Sequence, residues 1–398
     1  MAKFVHLHCH TEYSLLDGLS NIKKLFNHVK ENGMDAVAIT DHGVMYGEIE
    51  FYKEGLKQGI KPILGMEGYI ASGDLKEKSE KSRQNYHILL LAKNNEGYKN
   101  LMKLASIAHL DGFYYKPRMD HEVLKKYSKG LICTSGCPQA EIGQAITRDE
   151  EENSKKLVDF YTDTFGDDFY FEVQRHEYTK WLSKAGTEEI RATLNELQKT
   201  ENKWNEGIIK FSRKYGVPII ATNDAHYIKS EDAMAQDALV CVATGKNMSE
   251  TKRLRYIDAQ TFNLKSPDEM AVLFPDYPDA LENTVKLAEK CNVEITLGKW
   301  FFPKFPLPQG VTADEQLSLL AHKALKEKIP GRGKVALERL EHELGIISAK
   351  GYSPYFLIVR DLAKWTRDHG IIQNTRGSAA GSLVSYVLGI TTVDPWKY

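Results

Sequence analysis

Nine side chains of metal-ligand type are spread through the first 226 residues: His8, His10, Asp17, His42, Glu67, His87, Cys137, Asp224 and His226. Most fall at the end of a segment whose apolar residues read as a β-strand. In a barrel of parallel strands those ends converge on one mouth, so the nine predict a cluster holding more than one cation. His8-Cys9-His10 puts two imidazoles on one face of an extended segment and turns Cys9 away. Asp224-Ala225-His226 repeats the spacing. Each residue also has an ordinary reading. His87 could be a hydrogen-bonded core histidine, Cys137 a small buried hydrophobe, Asp17-Gly18 a turn, His42 a loop residue and Glu67 half of a salt bridge. Glu67 adjoins an apolar strand, where an unpaired carboxylate is costly, and a bridge between two cations accounts for it better. Imidazole, carboxylate and one thiolate suit zinc first, with manganese or iron as alternatives, over calcium or magnesium. Such ions activate water and neutralise phosphoryl oxygens, so the predicted chemistry is phosphoester hydrolysis. His6 and Asp41 are placed to orient these ligands from behind.

The elements that must position the nine alternate between strand and helix. Strands are predicted at Phe4 to His8, Asp35 to Thr40, Lys61 to Ile70, His87 to Ala92, Leu131 to Thr134, Phe169 to Val173 and Val217 to Thr222. Helices are predicted from Ser20 to about Glu31, from Tyr46 to Gln58 and from Asn95 to about His109. Repeated βα units with near-continuous apolar strands imply a parallel, TIM-like barrel of about seven strands. The charged stretch Ser183 to Trp204 reads as a solvated surface helix. Past residue 285 the strands stop. Pro303, Pro306, Pro308 and Gly310 form a linker-like run, and amphipathic helices follow at Thr312 to Lys328, Lys334 to Ala349 and Tyr355 to His369.

With 398 residues, the chain exceeds what one core usually needs. A hydrophobic fraction of 42% and a charged fraction of 27% fit a soluble globular protein. Net charge is -1, so any nucleic-acid surface must be a local basic patch. Two segments mix basic and aromatic residues in that way: Lys252-Arg253-Leu254-Arg255-Tyr256 and Tyr114-Tyr115-Lys116-Pro117-Arg118, with Arg118 the expected phosphate contact. No stretch is long and apolar enough to span a bilayer, and the N-terminus lacks a signal core. The five cysteines read as reduced thiols of a cytoplasmic protein.

Certain runs carry a family likeness. His8-Cys9-His10-Thr11 with Ser14-Leu15-Leu16-Asp17-Gly18, then Thr40-Asp41-His42-Gly43, then Gly59-Ile60-Lys61-Pro62-Ile63-Leu64-Gly65 resemble the PHP (polymerase and histidinol phosphatase) domain. More narrowly, with Gly112 to Arg118, Ser135-Gly136-Cys137, Thr222 to His226 and Arg376 to Ser382, the chain is similar to the N-terminal part of bacterial C-family replicative polymerases. That resemblance implies an α/β fold: a PHP-type distorted (β/α)7 TIM-like barrel over residues 1–285, then a mostly helical, partial polymerase palm over 286–398. It implies up to three ions. His8, His10, Glu67 and Asp224 would hold one, Glu67, His87 and Cys137 a second, and Asp17, His42 and His226 a third. His10, Glu67, Asp224 and Arg118 are then expected to carry catalysis, associated in the family with 3′–5′ exonuclease proofreading. Arg376, Gly377, Ser378, Gly381 and Ser382 would approach the triphosphate of an incoming nucleotide.

The implied partners are DNA, as primer–template or single-stranded 3′ end, deoxynucleoside triphosphates, and replisome subunits such as a sliding clamp. Magnesium would serve the complete polymerase. Gln373-Asn374-Thr375 stands where the family has Gly-Pro-Gly, which implies a differently shaped loop. The family's magnesium-binding palm carboxylates are expected beyond Tyr398, so this chain alone is not expected to polymerise. The alternatives are a stand-alone phosphatase acting on a small phosphomonoester and a non-enzymatic polymerase scaffold.

Overall fold

The computed structural model describes residues 3–373 and 375–397, and the chain divides into two compact units, Met1–Ile295 and Thr296–Tyr398. The first is built on β1 (Ala36–Ile39), β2 (Lys61–Ala71), β3 (Asn85–Ala92), β4 (Arg118–Met119), β5 (Leu131–Thr134), β6 (Phe169–Gln174) and β7 (Ile219–Thr222). They form a curled sheet in the order β1-β2-β3-β5-β6-β7, with β4 beside β2. The pairs β1–β2, β5–β6 and β6–β7 are parallel, as expected. β3 departs from the all-parallel expectation, being antiparallel to both β2 and β5. A parallel return from β2 would need a long crossover, usually a helix. The chain between them holds one short 3-10 turn, Glu80–Arg83, so it turns back as a hairpin.

The predicted strand from Phe4 to His8 is instead an extended segment with isolated bridges, His6 to Val37 and Cys9 to Ala225. Ala38 N donates to His6 O at 2.9 Å, and His10 N donates to Ala225 O at 2.8 Å. The segment thus lies between β1 and the end of β7 and closes the barrel.

Strand alternation sorts the interior into two layers. Ala38, Ile63, Leu91, Ile132, Tyr170 and Ile220 pack with Val5 and Leu7, plugged by Leu287 of the helix Pro278–Lys290. Further along the same strand faces, toward the mouth, stand His42, Glu67, His87, Glu172 and Asp224. Because β3 runs backwards, its mouth-side residue lies near its start. That is why His87 lies near the start of its strand while His42, Cys137 and Asp224 follow the ends of theirs. The opposite strand faces and the surrounding helices share a larger apolar core that includes Phe26, Phe51, Leu90, Phe171 and Trp204.

The charged stretch read as a surface helix, Ser183 to Trp204, is α-helical from Glu188 onward, within a helix of 28 residues, Glu188–Tyr215. It buries a stripe of Ile190, Leu194, Glu201, Trp204 and Ile208, and Trp204 is 0% exposed. The stripe's spacing of three, four and seven is helical periodicity, concealed by the acidic and basic residues between.

In the second unit the helices Ala313–Lys328, Gly333–Ala349, Ser353–Asp368 and Leu383–Val387 enclose a core of Leu317, Ala321, Leu340, Leu344, Leu357 and Val384. Thr312 and Glu315 form a capping box at the first of them. Asn374, within the substituted loop, lies outside the described residues. Among the described residues, no helix is long and apolar enough to cross a membrane.

Candidate metal centre

All nine predicted ligands gather at the mouth of the barrel. His8 Nε2 lies 3.3 Å from Glu67 Oε1 and 3.3 Å from Asp224 Oδ1. His10 Nε2 lies 3.1 Å from Asp224 Oδ1 and 3.6 Å from Glu67 Oε2. His87 Nδ1 is 2.8 Å from Glu67 Oε1, and Cys137 Sγ is 3.5 Å from His87 Nδ1 and 3.7 Å from Glu67 Oε1. Asp17 oxygens lie 3.4 Å from His42 Nε2 and 3.8 Å from His226 Nε2.

Local backbone explains the approach. His42 pairs with Glu67 in a parallel bridge, and Gly43 N donates to Glu67 O at 2.7 Å. His87 N donates to Gln139 O, which docks the Cys137 turn on β3. Asp224 takes φ +48°, a left-handed conformation that non-glycine residues rarely hold and that recurs at functional sites.

Seven of the gathered atoms are buried without a hydrogen bond: His8 Nε2, His10 Nε2, Asp17 Oδ1, His42 Nδ1, Glu67 Oε2, Asp224 Oδ1 and His226 Nε2. His42 Nδ1 is 2.6 Å from Glu67 Oε2 and still not in hydrogen-bond geometry. Native proteins rarely leave buried polar atoms unpaired. Three overlapping groups could each hold a metal ion, their ligand atoms within 4.8 Å of one another: His8, His10 and Glu67; His10, His42 and His226; and His42, Glu67 and His87. With metal–ligand bonds of about 2.0–2.1 Å, the edge of a tetrahedral site is about 3.3 Å, close to the separations seen here.

The histidines are set in the tautomer that this use requires. His8 Nδ1 donates to Glu172 Oε1 at 2.8 Å. His226 Nδ1 donates to Asp224 O at 2.8 Å. His10 Nδ1 donates to Ser14 Oγ at 3.1 Å, and that hydroxyl donates to Asp41 Oδ1 at 2.7 Å. In each ring Nε2 faces inward, and once the ring is neutral its lone pair points there. Asp41, expected behind the ligands, acts through Ser14 and is itself held by Thr11 N and Thr11 Oγ1 at 2.7 Å each. His6 departs from that expectation: its Nε2 contacts Lys265 O at 2.7 Å, and burial lowers its pKa to about 4.

Charge in the cluster is strongly coupled. Burial lowers the His42 pKa, but Asp17 and Glu67 overcome this and raise it to about 10. Asp224, Glu172 and Glu67 likewise outweigh burial and hold His8 well above its usual value. His10 falls to about 3 through burial and the neighbouring His42 and His226. Glu67 and Asp224 are pulled well below the usual carboxylate range by these imidazoles, against burial. Burial, then Glu67 and Asp224, push the Cys137 thiol up, so a thiolate there needs a cation beside it.

The strand reading missed Glu172, which is fully buried in β6. Besides His8 it accepts from Thr134 Oγ1 at 2.6 Å, Thr222 Oγ1 at 2.6 Å and Gln174 Nε2 at 2.9 Å. A cavity of about 610 Å³ stands over the cluster, its walls including Lys116, Tyr178, Leu194, Glu201, Tyr256 and Phe262. Burial pushes Glu201 up to about 7, against hydrogen bonds from His176 N and Gln198.

Three arginines expected to meet phosphate are already engaged within the protein. Arg118 is 0% exposed. Its guanidinium donates to four backbone carbonyls, those of Gly112, Ser82, Leu75 and Glu77, at 2.5–3.2 Å. It ties down a loop and does not face the cluster. Arg253 forms a two-point pair with Asp237 at 2.6–2.7 Å, and Arg255 one with Asp258 at 2.6–2.7 Å. In the second unit, Arg376, Gly377, Ser378 and Gly381 are exposed, and Gly377 has φ +73°. The amides of Leu383 and Val384 and the Ser382 hydroxyl all donate to Glu343, at 2.8–3.1 Å. A carboxylate therefore occupies the short helix start where the triphosphate was expected.

Residues 6–176 match the PHP domain family, and residues 315–398 match the bacterial DNA polymerase III alpha NTPase domain family. DNA polymerase III subunit alpha of Borreliella burgdorferi is 42% identical over 402 residues, covering 100% of this chain and 33% of that protein. The protein of the same name from Helicobacter pylori strain 26695 is 41% identical, covering 99% of this chain and 33% of its own. That of Thermus aquaticus is 34% identical, covering 100% and 36%. The chain spans about a third of the length of these curated relatives. Among solved structures, a Bifidobacterium adolescentis protein provisionally assigned as a metal-dependent phosphoesterase aligns over 69% of this chain and 96% of its own, at 14% identity and a TM-score of 0.32. By its likeness along its whole length to these relatives, and by its PHP barrel, the chain belongs to the bacterial DNA polymerase III alpha subunit family.

Proposed function

We propose that the barrel hydrolyses phosphodiesters at the 3′ end of a DNA strand, within an alpha subunit of a replicative polymerase. Zinc, manganese or iron would be held by His8, His10, Asp17, His42, Glu67, His87, Cys137, Asp224 and His226. The observation that carries this reading is the set of seven buried ligand atoms without hydrogen bonds, converging beneath a cavity of about 610 Å³. When bound, such ions activate water and withdraw charge from phosphoryl oxygens.

The chain's own residues prepare that chemistry. Glu172, Ser14 and the Asp224 carbonyl fix the rings of His8, His10 and His226. Glu67 presents both oxygens to the cluster, each facing at least two imidazoles. Asp224 reaches His8, His10 and His226 from one oxygen. Primer-dependent synthesis from deoxynucleoside triphosphates, its magnesium and any contact with a sliding clamp belong, in this proposal, to the complete protein. So does nucleotide binding at Arg376, Gly377, Ser378, Gly381 and Ser382.

The test compares release of the 3′-terminal nucleotide from a single-stranded oligonucleotide with turnover of p-nitrophenyl phosphate by the metal-loaded chain. The proposal expects oligonucleotide cleavage that chelation abolishes. His10→Ala and Asp224→Asn should eliminate it while the circular-dichroism spectrum is kept. Undiminished cleavage by both variants would refute the site, and turnover confined to the monoester would refute the substrate.

A further inference from the structure

The cavity needs a cation for the phosphate, and the expected one is elsewhere. Arg118 spends its guanidinium on backbone carbonyls. Arg253 and Arg255 line the cavity, but each is neutralised by its own aspartate. The remaining lysine or arginine among the described lining residues is Lys116, which has no carboxylate within 4 Å.

We infer that Lys116 is the side chain that grips the substrate's phosphate beside the cluster. This rests on the phosphoesterase reading above, and within the basic and aromatic segment Tyr114 to Arg118 it moves the phosphate contact from Arg118 to Lys116. Its Nζ lies 5.0 Å from the centre of the Tyr69 ring and donates to Tyr69 Oη at 3.3 Å. Tyr69 in turn packs against two of the ligands, its ring centre 5.3 Å from that of His87 and 6.2 Å from that of His42. The ammonium is thus held at the edge of the cluster by a weak, exchangeable partner and an aromatic face. A phosphate oxygen can replace the tyrosine hydroxyl at little cost.

The backbone delivers Lys116 to that place. Tyr114 N donates to Lys116 O at 3.1 Å, closing a tight turn around Tyr115, whose φ is +60°. Arg118 holds the base of this turn through Gly112 O, and Tyr115 is covered by Arg83, 4.5 Å from its ring centre. Arg118 therefore builds the platform, and Lys116 is what the platform presents. Half-burial matters too. In a partly dry cavity an ammonium–phosphate contact is charge-assisted and less screened than on an open surface.

The experiment titrates the metal-loaded full chain with inorganic phosphate by calorimetry, for wild type, Lys116→Met and Lys116→Arg, with metal content measured in each. Loss of a hydrogen bond to a charged group predicts about tenfold weaker phosphate binding for Lys116→Met, with equal metal content. Lys116→Arg should recover most of the affinity. On an oligonucleotide, KM should rise more in the methionine variant than kcat falls. Preference for a phosphodiester over an uncharged methylphosphonate linkage at the 3′ end should shrink. Unchanged phosphate affinity in Lys116→Met overturns the inference, as do equal losses in both variants or no phosphate binding by wild type. Because phosphate binding is read without turnover, an inactive wild type that binds phosphate through Lys116 would sink the nuclease reading alone.

Discussion

Glu172 offers the sharpest test of the metal centre, because it touches one ligand, His8, and does not itself line the cavity. Its Oε1 accepts from His8 Nδ1 at 2.8 Å while both oxygens satisfy Thr134, Thr222 and Gln174. Alanine would strand those donors at about 1–3 kcal/mol each and confound binding with folding. Glu172→Gln keeps an acceptor in nearly the same shape and removes the charge. Hydrogen bonds to charged groups contribute about 1.5–3 kcal/mol against about 0.5–1.5 for neutral ones. The loss is therefore about 1–1.5 kcal/mol, or roughly tenfold in metal affinity, at the lower end of the 10–100-fold usual for such supporting carboxylates.

The effect has a pH signature. Glu172 also helps to hold His8 protonated when no metal is bound, so wild type must shed a proton that the variant holds less tightly. The affinity gap should narrow toward pH 6 and widen toward pH 8.5. Competitive zinc titration against a chromophoric chelator, with unfolding followed in parallel, measures both. Affinity within twofold of wild type at pH 8.5, with folding intact, would refute the reasoning.

Two further outcomes follow. Metal that binds only the folded chain should stabilise it by about 4 kcal/mol at a thousandfold excess over Kd. Chelation should therefore lower the melting temperature of the barrel unit reversibly in calorimetry, and an unchanged transition would count against the centre. Burial pushes the Glu201 carboxyl up to about 7 in the folded chain, from the 4.5 of a free glutamate. The folded form keeps a proton that the unfolded form loses between pH 4.5 and 7, so stability falls as pH rises through that window. The loss amounts to at most about 3 kcal/mol. Glu201→Gln should then be near neutral at pH 4.5 and stabilising at pH 8 in urea unfolding, and equal effects at both would contradict the burial argument.

The gathering of the nine side chains was legible because their residue types are chemically distinctive and sit beside strongly apolar strands. The direction of β3 was less so, although Ser72 to Gln84 has no helical pattern to carry a parallel return. Glu172 escaped because Phe169 to Val173 was read as an apolar run. A carboxylate inside a wholly buried strand needs donors, and that alone could have singled it out. Arg118 and Lys116 are two residues apart, and composition cannot tell which faces the mouth. The answer depends on a left-handed Tyr115 and on four carbonyls brought from distant positions. His6, expected to orient the ligands from behind, instead ends against Lys265 O, a partner 259 residues away that spacing within the segment cannot reveal.

The backbone bend at Asp224 constrains how the position can drift. Left-handed φ costs most side chains roughly 1–2 kcal/mol, while glycine and, to a lesser degree, asparagine and aspartate accept it. Ordinary replacements there combine lost chemistry with a conformational penalty. Asparagine alone separates the two, and a lineage shedding the activity while keeping the barrel would be steered toward asparagine or glycine at this one link of the chain.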